Sequence, residues 1–331
     1  MSAPLRVGTV GAGSLGYHHI RILRDVPGVA YAGFYERNPQ RAAQVARELG
    51  VRALESLDAL LDEVDALTIV VSTPAHHAMA RPALERGRHV LIEKPLAATL
   101  EEADDLLDIA RQNGVIVQTG HIERFNRAIR AALPHIDEPR FIESDRLAPF
   151  NPRGSDVAVV LDLMIHDIDL VHALVGSRVT DVQAVGVSVL TATPDIANAR
   201  LVFESGAVAN ITASRVSRER MRKLRIFQRS GYLSLDLARG GGDFYRLRTG
   251  IDVAQLAKAP QELSAFLEHI PLDAPDGEPL RLEFESFIAA VQGRGPVVVS
   301  GDDGREALAV ALRIVREIER SLPALAGAPP P

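Results

Sequence analysis

Three groups of residues in this chain have the types and spacing for chemistry. In Gly11-Ala12-Gly13-Ser14-Leu15-Gly16, three glycines stand where an apolar strand gives way to a helix. Gly11 makes the tight turn, Gly13 lets the backbone approach a pyrophosphate, and Gly16 lets helix and strand pack closely. The helix start, at Ser14 and Leu15, supplies free N–H groups and a positive dipole end. A plain strand-to-helix turn is the alternative. Twenty positions after Gly16 comes Glu36, a carboxylate placed to accept hydrogen bonds from an adenosine ribose. Its charge would repel a 2′-phosphate, which favours NAD over NADP, whereas Arg37 beside it could pair with that phosphate. Ser72 and Thr73 end a third strand at the same crevice, where His76 or His77 could line the nicotinamide side.

The second group is Glu93-Lys94-Pro95, after a fourth strand and so on the cofactor side. A lysine there can hold a hydroxyl or a developing alkoxide, and partial burial would bring it toward proton chemistry; a surface Glu and Lys before a helix is the alternative. The third is Asp162 with His166, an i, i+4 pair on one face of an apolar helix, with Asp169 a turn further on. Polar groups in such a segment either satisfy one another or face a ligand.

The elements that must position these groups fall into two rhythms. Short apolar runs at 5–10, 29–35, 66–71, 89–92 and 115–119 alternate with helical patterns at 14–25, 39–49, 77–86 and 100–112, which predicts a parallel sheet built from βαβ units. Beyond 121 the spacing predicts helices at 124–133 and 159–175, a strand at 140–145, and then alternating strands at 180–190, 197–203, 207–214, 223–228 and 231–236. Residues 240–242 and 270–278 read as loops, helices at 279–292 and 304–322 close the chain, and the tail from Pro323 should fray. The expectation is an α/β protein: a Rossmann domain at 1–121, then an α+β domain at 122–331 with a large, mostly antiparallel open sheet. The solvated face of that sheet suggests a homodimer or homotetramer.

Composition narrows the function. A net charge of −6 gives no excess of Lys and Arg for nucleic acid, and 5% aromatics offer few stacking platforms. The lack of cysteine excludes disulfides, thiolate metal sites and a cysteine nucleophile, and is compatible with a reducing cytoplasm. No apolar run reaches the ~20 residues of a membrane span, and the first residues do not read as a signal peptide, so a cytoplasmic protein is expected. Beyond Asp162, His166 and Asp169 the histidines show no metal-ligand spacing, and no metal is expected.

These residues resemble the Gfo/Idh/MocA oxidoreductases along almost the whole chain. The resemblance rests on the glycine motif with His18-His19, on Tyr35-Glu36-Arg37-Asn38-Pro39, on 87–90 leading into Glu93-Lys94-Pro95, on Gly120-His121 with Glu123-Arg124-Phe125-Asn126, and on Asp162 with His166. It implies that Lys94, Asp162 and His166 line the substrate site beside the nicotinamide. Two departures are Val159, Val160 and Leu161, where many members carry glycines, and Arg127 in place of a frequent proline. Within the family, 124–126 and 156–169 most resemble bacterial members that oxidise UDP-N-acetylglucosamine for lipid A precursor synthesis. The implied reaction is oxidation of a ring secondary alcohol, with His166 taking the hydroxyl proton, Lys94 steadying the oxygen and Asp162 orienting sugar or imidazole; Lys94 as base is the reverse assignment. Arg124, Asn126, Arg146 and Arg153 are candidate contacts for a UDP-sugar, the guanidinium forks suiting its diphosphate. Oxidation or reduction of a free polyol and a non-catalytic NAD-binding regulator are the competing readings, and the regulator has no need of Lys94, Asp162 and His166.

Overall fold

Strands that must be covered on both faces are mostly apolar, and the first sheet follows this pattern. In the computed structural model, which describes residues 4–151, 157–248 and 266–325, all of 7–10 and 66–69 are buried. The sheet comprises β1 (Leu5–Val10), β2 (Val29–Tyr35), β3 (Ala53–Leu54), β4 (Ala66–Ile69), β5 (His89–Glu93) and β6 (Val117–Gly120). All are parallel, in the order β3-β2-β1-β4-β5-β6. Between them run α1 (Ser14–Leu23), α2 (Pro39–Leu49), α3 (Leu57–Glu63), α4 (His76–Glu85) and α5 (Leu100–Asn113). Local chemistry sets their ends: Asn38, Ser56 and Thr99 cap the starts of α2, α3 and α5, and left-handed Gly50 and Gly114 stop α2 and α5. The short pair β3 and α3 was not anticipated from the sequence, because a strand of two residues has no period to read.

The second unit holds α6 (Arg127–Ala132), β7 (Phe141–Leu147), α7 (Ile165–Val175), β8 (Val179–Val187), β9 (Ile196–Phe203), β10 (Val208–Ser214), β11 (Met221–Gln228), β12 (Gly231–Asp236), β13 (Gly241–Leu247) and β14 (Leu267–Leu272). Its eight strands lie in the order β14-β13-β12-β11-β7-β10-β9-β8. Alternation along β7 and β9 buries one face. All neighbours are antiparallel except β7 and β10, which pair in parallel, so β7 separates two runs of sequential strands. Two expected loops are corrected. Gly241 and Gly242 open β13, where a Cβ on Gly242 would stand 2.6 Å from the Ser234 carbonyl oxygen, and β14 takes up 270–272 of the second.

The helix expected at 159–175 divides: Val160–Met164 is a π-helical turn, and α7 follows from Ile165. Val159 and Val160, at the position of the frequent glycines, are fully buried. Arg127 donates to the Ala274 carbonyl at 2.8 Å and pairs with Asp273 and Asp276, so it clasps the chain after β14. In the β8–β9 connection, buried Asp195 accepts backbone N–H bonds from Val189, Leu190 and Thr191 at 2.8, 2.6 and 2.9 Å, with Arg215 3.7 Å away.

The chain then returns to the first unit. This unit comprises 1–125 and 277–309, the second 126–276 and 310–331. The helix α8 (Pro279–Val291) sends Leu280, Phe284, Phe287 and Ile288 into one core with Val7, Ile22, Leu23, Ala66 and Leu91. The last helix, α9 (Gly301–Leu325), runs through the expected fraying point at Pro323, and the tail beyond 325 lies outside the described residues.

Candidate functional site

Four carboxyl strand ends and one helix start make a cleft of about 590 Å³ in the first unit. Gly11, Gly13, Ser14, Leu15 and Gly16 line it from the β1–α1 turn, Glu36 and Arg37 from the end of β2, Ser72 from beyond β4, and Glu93 and Lys94 from the end of β5. Gly11 has φ +96°, and a Cβ there would meet the Val70 carbonyl oxygen at 2.3 Å. The helix α1 starts without a side-chain cap, so its first N–H groups remain for an anion.

A dinucleotide fits these residues. Nothing lies within 4 Å of where a Gly13 Cβ would stand, which leaves the backbone open to a pyrophosphate. The Glu36 carboxylate accepts from the backbone N–H of Ala12 at 2.8 Å and of Asn38 at 2.9 Å, one bond to each oxygen. Each oxygen keeps a lone pair for a ribose hydroxyl.

Glu93 is buried on the cleft wall. Burial alone would raise its carboxyl, but a hydrogen bond from His19 and the charge and N–H of Lys94 outweigh this and hold it below the usual carboxylate range. Lys94 is half-buried, and its bond to Pro95 is cis.

Two of the expected cofactor residues stand apart from the lining. Thr73 begins a short 3₁₀ turn. His76 is buried with Nδ1 2.8 Å from the Pro95 carbonyl and Nε2 3.1 Å from the Val71 carbonyl, and burial lowers its pKa. It ties the segment after Lys94 to the start of α4. Val10, Tyr35, Val70, Val71, Ala75 and Met79 line the cleft without having been anticipated. The i, i+4 spacing of Ala75 and Met79 was a legible sign of a shared face.

In the second unit Asp162 lies in the π turn and His166 in the first turn of α7, both half-buried. The π turn replaces the α-helical spacing on which their alignment was expected, and such turns concentrate at functional sites. Asp169 is buried, as is Asp167, beside His166. Asp167 explains Arg146. The guanidinium, expected at a diphosphate, is buried and forked onto Asp167, Nε to Oδ2 at 2.6 Å and Nη2 to Oδ1 at 3.1 Å, with Ser144 Oγ donating to Oδ1 at 2.9 Å. Asn126 is likewise engaged: its Oδ1 accepts from the Ala128 N–H that starts α6, and its Nδ2 donates to the Leu237 carbonyl. Arg124, in the first unit, has Asp303 at 3.7 Å. Arg153 lies outside the described residues. Among the described residues no group of three His, Asp or Glu side chains is placed to hold a metal, and no helix is long and apolar enough to cross a membrane.

Residues 5–121 match the model of an oxidoreductase family with an NAD-binding Rossmann fold, and 135–234 match the C-terminal domain of the same family. The chain is 39% identical over 319 residues to the UDP-N-acetylglucosamine 3-dehydrogenase of Acidithiobacillus ferrooxidans, covering 96% of this chain and 98% of that one. A solved structure of that enzyme superposes with a TM-score of 0.87, at 38% identity and the same coverage. The scyllo-inositol 2-dehydrogenase (NAD(+)) of Bacillus subtilis is 31% identical over 237 residues, 66% of this chain and 69% of its own. A dehydrogenase from Bordetella pertussis, in complex with NADH and UDP-GlcNAcA, shares the fold at 19% identity, with a TM-score of 0.80 and 97% of each chain covered. The chain therefore belongs to the Gfo/Idh/MocA oxidoreductases, with the NAD-binding Rossmann fold at 5–121 and the family's C-terminal domain at 135–234.

Proposed function

We propose that this enzyme oxidises a secondary alcohol on a UDP-linked sugar to the ketone, with UDP-N-acetylglucosamine, at its 3-hydroxyl, as the substrate. The observation that carries the reading is 39% identity over 96% of the chain to an enzyme of that name, against 31% over 66% for an inositol dehydrogenase. The bound nicotinamide supplies a hydride acceptor. The chain's own part is to hold the carbinol carbon toward that ring and to take the hydroxyl proton as the C–H hydrogen leaves with its electron pair. We assign proton removal to His166, oxygen stabilisation to Lys94, and orientation of sugar or imidazole to Asp162. We also assign Arg153 to the substrate's diphosphate, on the suitability of a guanidinium fork for phosphate. The same reading places the enzyme in the cytoplasm, where nucleotide-activated sugars are made.

A homo-oligomer through the eight-stranded sheet belongs to this proposal. Phe141, Phe227, Tyr232, Tyr245 and His269 face one another across five adjacent strands, with successive ring centroids 5.7, 4.7, 6.0 and 4.8 Å apart. They alternate with the buried Ile142, Ile226, Leu233 and Phe244, so the ladder lies on the opposite face.

The test is NADH formation by the purified chain with NAD and, separately, UDP-N-acetylglucosamine, UDP-glucose, free N-acetylglucosamine and inositols. Turnover with UDP-N-acetylglucosamine alone is expected. Turnover with an inositol and none with any UDP-sugar would move the assignment to a polyol dehydrogenase.

A further inference from the structure

The carboxylate at the end of β5 is held from behind. His19, on α1, has a fully buried side chain, and its Nε2 stands 3.1 Å from Glu93 Oε1. Its ring rests edge-on against Phe284 at a centroid distance of 4.8 Å. On the neighbouring strand, Gly120 makes room: a Cβ there would lie 3.0 Å from Oε1. Among the described residues, Nδ1 of His19 is buried without a hydrogen-bond partner. Nε2 is the ring atom that meets the carboxylate, and a proton on it donates to Glu93. The carboxylate is thus fixed by a hydrogen bond, with its Oε2 3.3 Å from the Lys94 backbone N–H.

In a doubly wound sheet the adenosine ribose lies at the end of β2, beside Glu36, and the pyrophosphate at the β1–α1 turn. Residues beyond β4 and at the end of β5, Glu93 among them, line the same cleft and would hold the other half of the dinucleotide. The nicotinamide ring carries a positive charge when oxidised and none when reduced. We propose that the buried His19–Glu93 pair makes this cleft selective for the oxidised dinucleotide: Glu93 supplies a fixed negative charge near the pyridinium, and His19 is the positioning residue that keeps it aimed there. This rests on reading the cleft as the NAD site, and it gives the pair a role separate from the chemistry on the sugar. A site that favours NAD and releases NADH suits an enzyme working in the oxidative direction.

The test is binding without sugar, using the full chain: NAD by calorimetry and NADH by its fluorescence, for the wild type, Glu93→Gln, His19→Phe and His19→Gln. Loss of a unit charge near a partly buried cation is expected to weaken NAD by about tenfold in Glu93→Gln and to leave NADH within about twofold. His19→Phe keeps the ring shape and loses the donor, so its NAD to NADH preference should fall in the same direction. His19→Gln, which keeps an N–H, should retain the preference. Equal weakening of both forms in Glu93→Gln, or an unchanged ratio, would overturn the proposal and leave the pair a packing role. If His19→Phe does not fold, Glu93→Gln alone decides. Failure of the wild type to bind either form would instead overturn the reading of the cleft.

Discussion

What a single side chain can offer a ligand depends on how far its polar atoms are already engaged. Glu36 accepts one hydrogen bond at each oxygen and has capacity left, whereas Arg146 and Asn126 present their groups to buried partners in the protein. His166 occupies the start of α7, and its assignment as proton acceptor makes a prediction at this scale. His166→Ala should reduce turnover by ~10²- to 10⁴-fold while NAD affinity stays nearly unchanged, measured by steady-state kinetics beside a binding titration. Full turnover in that variant would remove it from the mechanism. The cleft glycines and Glu36 were legible in the sequence because they answer a backbone requirement, a turn at φ +96° and a carboxylate at a strand end. Arg146 was not. Its type suits a phosphate equally well, and what decides its role is a partner 21 residues away that only the pairing of strand and helix brings near.

At the scale of elements, what matters is how connections are pinned. The Arg146–Asp167 pair fastens α7 to β7, and both side chains are nearly fully buried. Breaking one side leaves a buried charge alone, so Arg146→Met should destabilise the fold by about 3–5 kcal/mol, while adding Asp167→Leu should recover most of that loss in chemical denaturation. A double variant no better than the single would mean that the pair does more than compensate its own burial. Asp195 pins the β8–β9 connection. Burial opposes its ionisation, but the N–H bonds of Leu190, Thr191 and Val189 and the Thr191 hydroxyl prevail and hold its pKa at about 2. A folded value below the unfolded one, about 3.9, stabilises the protein fully above that pH and less as pH falls toward 2. Asp195→Asn should therefore cost about 2 kcal/mol near neutrality, with melting curves of variant and wild type converging between pH 4 and 2. Long periodic elements were readable from the sequence; the π turn and the parallel pairing of β7 with β10 were not, since a helix period does not report one wider turn and alternation is the same in parallel and antiparallel strands.

At the scale of the whole molecule, the aromatic ladder predicts assembly. Tyr232→Glu places a charge in its middle and should lower the mass seen by light scattering to that of a monomer; an unchanged mass would move the interface elsewhere. The two-rhythm reading of the sequence captured both sheets, yet it could not show that 277–309 returns to the first unit, because a helix that covers a distant sheet has the same apolar stripe as one that covers its neighbour. That return has a consequence for synthesis. A nascent chain that has emerged only through β6 carries every strand of the nucleotide-binding sheet, but still lacks Phe284 and Phe287 over Val7, Ile22 and Leu91. A domain whose strands emerge ahead of the second unit is thus completed behind it, and until α8 arrives its bare apolar side is a natural client for chaperones.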